Sequence, residues 1–255
     1  QVSSEFLFNA ATKSLFDQMT STNVNNNIYR MLGQHWTETT YVDEANYDFN
    51  TRNITQSHWS EIYRDVLADL ATAKINNDAD LTISADTKKT KNAQIEILTV
   101  YAWAQMVETF GDIPYSQALN AGQYVLPVYD DAATIYSDLL TRIAVAIPNL
   151  TDSGFGTADK IYGGDTAKWK KFGNSLMLRM GVRVADVPAL ATKSTAAIKA
   201  AVSGGVFTSN ADNASLVYSN ATPNTNPVWV DLVQSGRSDF VIANTLVDFM
   251  NNLSD

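Results

Sequence analysis

The sequence of 255 residues contains no cysteine and only two histidines. Without cysteine the chain can form no disulfide, no thiolate nucleophile and no cysteine metal site. A zinc site needs three or four converging ligands, and His35 and His58 are well separated along the sequence. We therefore interpret both histidines as surface or capping residues and predict neither a metal nor another cofactor.

Basic residues are also scarce: 18 lysines and arginines stand against 27 acidic residues, for a net charge of −9. Such a charge disfavours binding to a nucleic-acid backbone or to anionic lipid. The sequence has no run of the roughly 18 to 20 apolar residues that a membrane-spanning helix needs. The segment that begins at Gln1 lacks the basic and apolar regions of a signal peptide, so we expect any export signal to have been removed.

Sequence motifs of catalysis are missing as well. There is no glycine-rich phosphate loop, no nucleophile elbow and no HExxH phrase. A glycosidase-like carboxylate pair is defined by distance and not by spacing, so the 27 acidic residues leave it open. The acidic pairs at 43–44, 78–80 and 130–131 are possible calcium ligands, but none follows a full calcium-loop pattern. We assign no catalytic residue and expect a protein that is not an enzyme.

What the sequence does contain is helical periodicity. From Ala93 to Phe110 most residues are apolar, which predicts a helix buried on nearly all sides, and Gly111 and Pro114 predict its end. Apolar stripes and capping residues predict further helices over 4–19, 195–202 and 238–251. Another is predicted from a cap at 130–131 to a stop at 148, and two more begin at Ser57 and at a cap at 165–166. Weak strand signals lie at 216–218 and 228–233.

The four strongest helices are predicted to begin near residues 57, 92, 130 and 166, at similar intervals. Such spacing suggests a scaffold in which each helical hairpin stacks on the next. The predicted fold class is therefore mostly all-α, with a tetratricopeptide-like helical scaffold and long functional loops. The tryptophans at 59, 103 and 169 fall on predicted apolar helix faces, so we expect them in the core.

Several phrases resemble one known family. The helix ending in Phe-Gly-Asp-Ile-Pro-Tyr (110–115) is followed by 128–150, with its Tyr, acidic residue and paired leucines before a proline stop. The helix at 164–186 carries Trp169, Lys171, Phe172, Asn174, Leu176 and Arg179. A small-residue helix ending in Gly-Gly (200–207) and the segment 236–255 follow in order. Together they are similar to the SusD/RagB-like proteins, surface-exposed outer-membrane lipoproteins of Bacteroidetes.

The resemblance implies capture of a polysaccharide or oligosaccharide at the cell surface and its delivery to a SusC-like TonB-dependent transporter. Family members carry a lipid on an N-terminal cysteine, which this sequence lacks. They are also commonly much longer. We therefore expect 1–255 to be a single SusD-like helical domain, a fragment without the C-terminal part, which reaches the membrane only through a lipid anchor absent from this chain.

The candidate ligand site lies in the long stretch 20–56, where no helical period holds. Its aromatic rings are flanked by hydrogen-bonding side chains, as an uncharged sugar requires. The proposed rings and polar neighbours are Trp36, Tyr41, Asp43, Asn46, Tyr47 and Arg52. The alternative is that the rings attach the loop to the scaffold.

Two other functions compete with glycan capture. They are a helical-repeat interaction scaffold without a small ligand and, less favoured, a glycan-active hydrolase.

Overall fold

Helices make up most of the regular structure in the computed structural model, which describes residues 2–254. The α-helices are α1 (Ser4–Thr20), α2 (Tyr29–Leu32), α3 (Ile54–Ser60), α4 (Ala68–Ala79), α5 (Ala85–Phe110), α6 (Ala132–Ala146), α7 (Thr166–Arg183), α8 (Ala191–Gly204), α9 (Pro227–Trp229) and α10 (Asn244–Leu253). A π-helical segment, Glu61–Leu67, joins α3 to α4, and another, Val230–Gln234, follows α9.

The strands are short and form two antiparallel pairs. They are β1 (Trp36–Glu38), β2 (Ile113–Pro114), β3 (Tyr129–Asp130) and β4 (Phe240–Ile242). β1 pairs with β4, and β2 pairs with β3. The mostly helical fold class predicted from the sequence is confirmed.

α5 is the most deeply buried helix of the structure's helical scaffold. Its apolar residues face α4 on one side and α6 on the other, and Trp103 is buried among them. Ser84 caps its first turn by accepting a hydrogen bond from the backbone N–H of Thr87. Gly111 ends it with a positive φ of 77°. The burial and the stop at Gly111 confirm the sequence prediction.

The next two helices begin at aspartate caps. Asp131 accepts a hydrogen bond from the backbone N–H of Thr134, and Asp165 accepts one from Lys168, as the sequence predicts. In α7, Trp169 is fully buried and its indole Nε1–H donates to Asp159 at 2.7 Å. Consecutive helices pack on each other, α4 on α5, α5 on α6 and α7 on α8, as in helical-repeat scaffolds.

Several boundary predictions were wrong. The helix predicted from Ser57 begins at Ile54, α5 begins at Ala85, and the intervals between helix starts are unequal. The strand expected at 228–233 is helical, because the Asn226 side chain accepts from two backbone N–H groups and Pro227 starts the helix. The strand expected at 216–218 is irregular.

The C-terminal prediction also needs a correction. The helix predicted over 238–251 begins only at Asn244, and its predicted first turn is replaced by β4. The residues of β4 gain their backbone hydrogen bonds from β1, which lies about 200 residues earlier in the sequence. The stretch 20–56, which showed no period, contains α2 and β1.

The described chain divides into two compact units. One consists of the chain up to Lys13 together with Tyr63–Val217, and it has α5 at its centre. The other consists of Ser14–Ile62 and the chain from Tyr218 onward, and it contains the β1–β4 pair. The single domain predicted for 1–255 stays a prediction. Within 2–254, no helix combines the length and the apolar character that a membrane crossing demands.

A candidate ligand-binding site beside the β1–β4 pair

The β1–β4 pair brings two distant segments of the second unit together. Glu38 lies opposite Phe240, and the contact continues beyond the strand ends. The backbone N–H of Thr39 donates to the carbonyl of Asp239 at 2.8 Å, and the Thr40 hydroxyl donates to the Asp239 carboxylate at 3.0 Å. The start of the loop 39–53 is therefore fixed against the segment that precedes β4.

The loop itself contains two strained tyrosines. Tyr41 and Tyr47 have positive φ angles of 54° and 61°. A left-handed conformation costs a residue with a side chain roughly 1 to 2 kcal/mol. Such strain persists where surrounding contacts enforce it and is common at binding sites. Here the backbone N–H of Ala45 donates to the Glu38 carboxyl at 3.0 Å, which closes the loop around Tyr41.

A cavity of about 280 Å³ opens between the loop and the segment before β4. Tyr41 and Arg52 line it from the loop, and Arg237 and Asp239 line it from the other side. Further polar atoms come from Thr40, Asn23, Asn25, Asp231 and Ser235. The cavity thus combines an exposed ring with many hydrogen-bonding groups.

The Tyr41 ring is 68% exposed and lies beside a guanidinium group. The Cζ atom of Arg237 is 5.8 Å from the ring centroid, within cation–π range. Arg237 also donates to the Asp239 carboxylate at 2.5 Å. Arg237 holds the pKa of Asp239 below its ordinary value, and Asp239 raises the pKa of Arg237. This contact orients the cation next to the ring.

The two cationic side chains of the cavity wall are each paired with a carboxylate. Arg237 is bound to Asp239, and Arg52 is bound to the buried carboxylate of Glu44. The Asp231 carboxylate accepts a hydrogen bond from the Thr22 hydroxyl at 2.8 Å. Both arginines of the cavity wall are therefore neutralised by acidic partners within the described part of the chain.

Of the six candidate residues from the sequence, Tyr41 and Arg52 line the cavity and the other four do not. Trp36 is half-buried, with its ring centroid 6.0 Å from that of Phe240 and 5.3 Å from Cζ of Arg30. Asp43 accepts a hydrogen bond from the Thr51 hydroxyl at 3.0 Å.

The two remaining candidates lie at the exposed end of the loop. The Tyr47 hydroxyl donates to the carbonyl of Leu32 at 3.1 Å, and its ring lies 6.0 Å from that of Phe49, centroid to centroid. Asn46 is exposed. The proposed row of three rings is thus not one continuous surface around the cavity, and ligand binding by these residues stays a prediction.

The sequence reasoning missed the half of the cavity that comes from the segment before β4. Asp239 stood in the first turn of the helix predicted over 238–251, and Arg237 immediately before it. Asn23 and Asn25 lie in the aperiodic stretch but carry no aromatic neighbour that would single them out. The pairing of β1 with β4 brings Arg237 and Asp239 beside Tyr41.

The acidic and histidine side chains of the described residues bear on metal binding. Across 2–254, no three histidine, aspartate or glutamate side chains are grouped in a way that would hold a metal ion. Glu38 and Glu44 come together next to Arg52; both are largely buried, and Glu38 also lines the cavity. The exposed Tyr41 ring and the hydrogen-bonding groups of the lining suit the cavity to a polar ligand.

Comparison with solved structures shows close similarity of fold. A chitin-binding protein superposes with a TM-score of 0.79 at 24% identity, covering 98% of this chain and 52% of its own. A SusD/RagB family protein of Bacteroides thetaiotaomicron gives 0.78 at 22% identity, covering 100% and 53%. A SusD homolog of Bacteroides uniformis gives 0.72 at 22%, covering 98% and 52%. The chain spans about half the length of these proteins.

No curated protein sequence matches the chain. Residues 1–255 match, over their whole length, the SusD-like family described as starch-binding and associating with the outer membrane. The likeness in sequence and the helical fold agree with the phrases around Phe110–Tyr115 and Trp169–Arg179. The chain therefore belongs to this SusD-like family.

Proposed function

We propose that this chain binds a neutral oligosaccharide in the cavity beside Tyr41. The observation that carries the proposal is the exposed Tyr41 ring, held over a polar cavity by a strained backbone and by Arg237. A flat ring stacks on the C–H face of a sugar, and the surrounding amides, hydroxyls and carboxylates accept or donate hydrogen bonds to its hydroxyl groups.

The charge pairing favours an uncharged ligand. An acidic sugar would need an arginine that is not already neutralised, but Arg52 and Arg237 each have a carboxylate partner. Displacing either partner would leave a carboxylate without its cation. The family description as starch-binding and the chitin-binding structural relative, both of which concern neutral glycans, support the same ligand class.

The family also guides the cellular part of the proposal. We place the protein at the outer-membrane surface, where a lipid anchor holds the full-length form and a SusC-like TonB-dependent transporter receives the ligand. The outer-membrane description of the family supports this location. No reaction is part of the proposal.

The experiment that tests the function is calorimetric titration of the chain with maltoheptaose, chitohexaose and polygalacturonate. We expect heat of binding with a neutral oligosaccharide and none with the acidic polymer. If the chain binds no neutral glycan in a wider array, the result would favour the alternative function, a helical-repeat interaction scaffold without a small ligand. Release of shorter sugars during incubation would instead indicate a hydrolase.

A further inference from the structure

Two buried carboxyl groups face a single guanidinium group at the base of the loop that carries Tyr41. Glu38 is 7% exposed, and the Glu44 side chain is fully buried. Arg52 is bound to Glu44 and lies on the same loop. Two ionised carboxylates in such a place would leave one negative charge without compensation, which is strongly unfavourable.

The hydrogen bonds of this pair do not account for all of its oxygen atoms. Oε2 of Glu38 accepts the backbone N–H of Ala45, and Oε1 of Glu44 accepts from Arg52. Oε2 of Glu44 is buried and accepts from no N–H or hydroxyl donor in the described chain. The Glu38 carboxyl lies within hydrogen-bonding reach of Glu44, and a protonated Glu38 would supply the missing donor.

Electrostatics favour the same arrangement. Burial raises the pKa of the Glu38 carboxyl, and the adjacent Glu44 raises it further, while the Ala45 N–H and the charge of Arg52 act in the opposite direction. The other titratable or charged groups nearby, from the loop and from the segment between α9 and β4, are Asp43, Tyr41, Asp231, Arg237 and Asp239. Arg237 is already paired with Asp239.

Glu38 and Glu44 also hold the loop 39–53 in place through their hydrogen bonds. The bond from Ala45 to Glu38 closes residues 39–44, which include Tyr41 in its left-handed conformation. The bond from Arg52 to Glu44 ties the far end of the loop to the same point. Loss of the proton would place two negative charges at the point where both bonds meet.

We propose that Glu38 and Glu44 hold one proton between them, and that this proton fixes the loop so that ligand binding weakens when rising pH removes it. The binding half rests on the proposed function, whereas the shared proton does not. Glu38 acts as a positioning residue through Tyr41. Because the folded state binds this proton more tightly than the unfolded chain does, the folded state loses stability as the pH rises above the ordinary range of glutamate.

Glu38→Gln tests the proposal, because its amide N–H can donate to Glu44 and its carbonyl can accept from Ala45, with no titration. Thermal unfolding at pH 5, 7 and 8.5 should show the variant gaining melting temperature relative to the wild type as the pH rises. Asp48→Asn removes the same charge from an exposed position on the same loop and should follow the wild type at every pH. His58 is present in all three proteins, so its titration cancels.

Titration with maltoheptaose and chitohexaose over the same pH series gives the second readout. We expect the wild-type affinity to fall severalfold between pH 5 and 8.5 and the affinity of Glu38→Gln to stay constant. If the difference in melting temperature between Glu38→Gln and the wild type does not change with pH, the proposal of a shared proton is wrong. If the affinities of Glu38→Gln and the wild type depend on pH in the same way, the shared proton does not control ligand binding. If no glycan binds at any pH, the proposed function and the binding half fail together, while the melting series still decides on the proton.

Discussion

At the scale of single residues, His58 shows how burial fixes one protonation state. Its ring is 3% exposed, and burial lowers its pKa to about 4. The amide Nε2–H of Gln18 donates to Nδ1 at 2.8 Å and also to the carbonyl of Asn26, so the histidine carries its proton on Nε2, toward the Tyr29 hydroxyl. A second proton on Nδ1 would point at the Gln18 amide N–H, which is also a donor. The Gln18 amide could turn away only by breaking its hydrogen bond to the Asn26 carbonyl.

This geometry predicts acid destabilisation that depends on His58. The folded state disfavours the charged ring, so stability is intact above the unfolded pKa of about 6.5 and is lost as the pH falls toward 4. The loss is on the order of 3 kcal/mol. In thermal unfolding, the melting temperature of His58→Gln should fall less between pH 7 and pH 4 than that of the wild type. The exposed His35→Gln serves as the control, and parallel losses in all three proteins would refute the assignment.

The candidate site was only half predictable at this scale. Tyr41 and Arg52 stood out because the loop lacks helical period and mixes rings with polar groups. Arg237 and Asp239 did not, because they lie at the predicted start of a helix and nothing local marks them as site residues. Their role depends on a strand pairing between β1 and β4, and long-range pairing of three-residue strands leaves almost no local signal.

At the scale of elements, the well-predicted features are those with local causes. The caps at Asp131 and Asp165 and the stop at Gly111 follow from the hydrogen-bonding needs of helix ends. At Gly173, in the middle of α7, two isoleucine side chains pack closely against the helix backbone. A Cβ atom on this glycine would lie 2.8 Å from Cγ1 of Ile147 and 3.2 Å from Cδ1 of Ile97.

Gly173→Val should therefore destabilise the first unit although it removes a glycine from a helix. The branched side chain would overlap two buried isoleucine side chains, and overpacking costs about 1 to 3 kcal/mol. Denaturant unfolding provides the measurement. Ala196→Val, at an exposed position of α8, is the matched control and should cost only a few tenths of a kcal/mol. Equal effects of the two substitutions would mean that α7 can move away from its neighbours.

At the scale of the whole molecule, α10 leaves an apolar helix face exposed. α10 is amphipathic, but none of its residues is buried. Phe249 and Leu253, four residues apart on one face, are each 62% exposed, and Ile242 in β4 is 59% exposed. An amphipathic helix normally buries its apolar face, so an exposed face of this kind is a candidate interaction surface.

We expect this surface to bind a hydrophobic dye or to cause self-association. Phe249→Ser combined with Leu253→Ser should reduce dye fluorescence and sharpen the monomer peak in size-exclusion chromatography. Ile75→Ser removes a similarly exposed side chain from the first unit and should have little effect. Unchanged fluorescence in the double variant would show that α10 is not the dye-binding surface.

The central claim is that Tyr41 forms a sugar-stacking surface of the cavity. Loss of a stacking ring costs on the order of 2 kcal/mol, about thirtyfold in Kd, with little loss of fold because the ring is exposed. The decisive measurement is calorimetric titration of the wild type, Tyr41→Ala and Tyr129→Ala with a neutral oligosaccharide. Tyr129 is 66% exposed in the first unit and is the matched control. We predict weakened binding in Tyr41→Ala alone, whereas equal affinity in all three proteins would contradict the account.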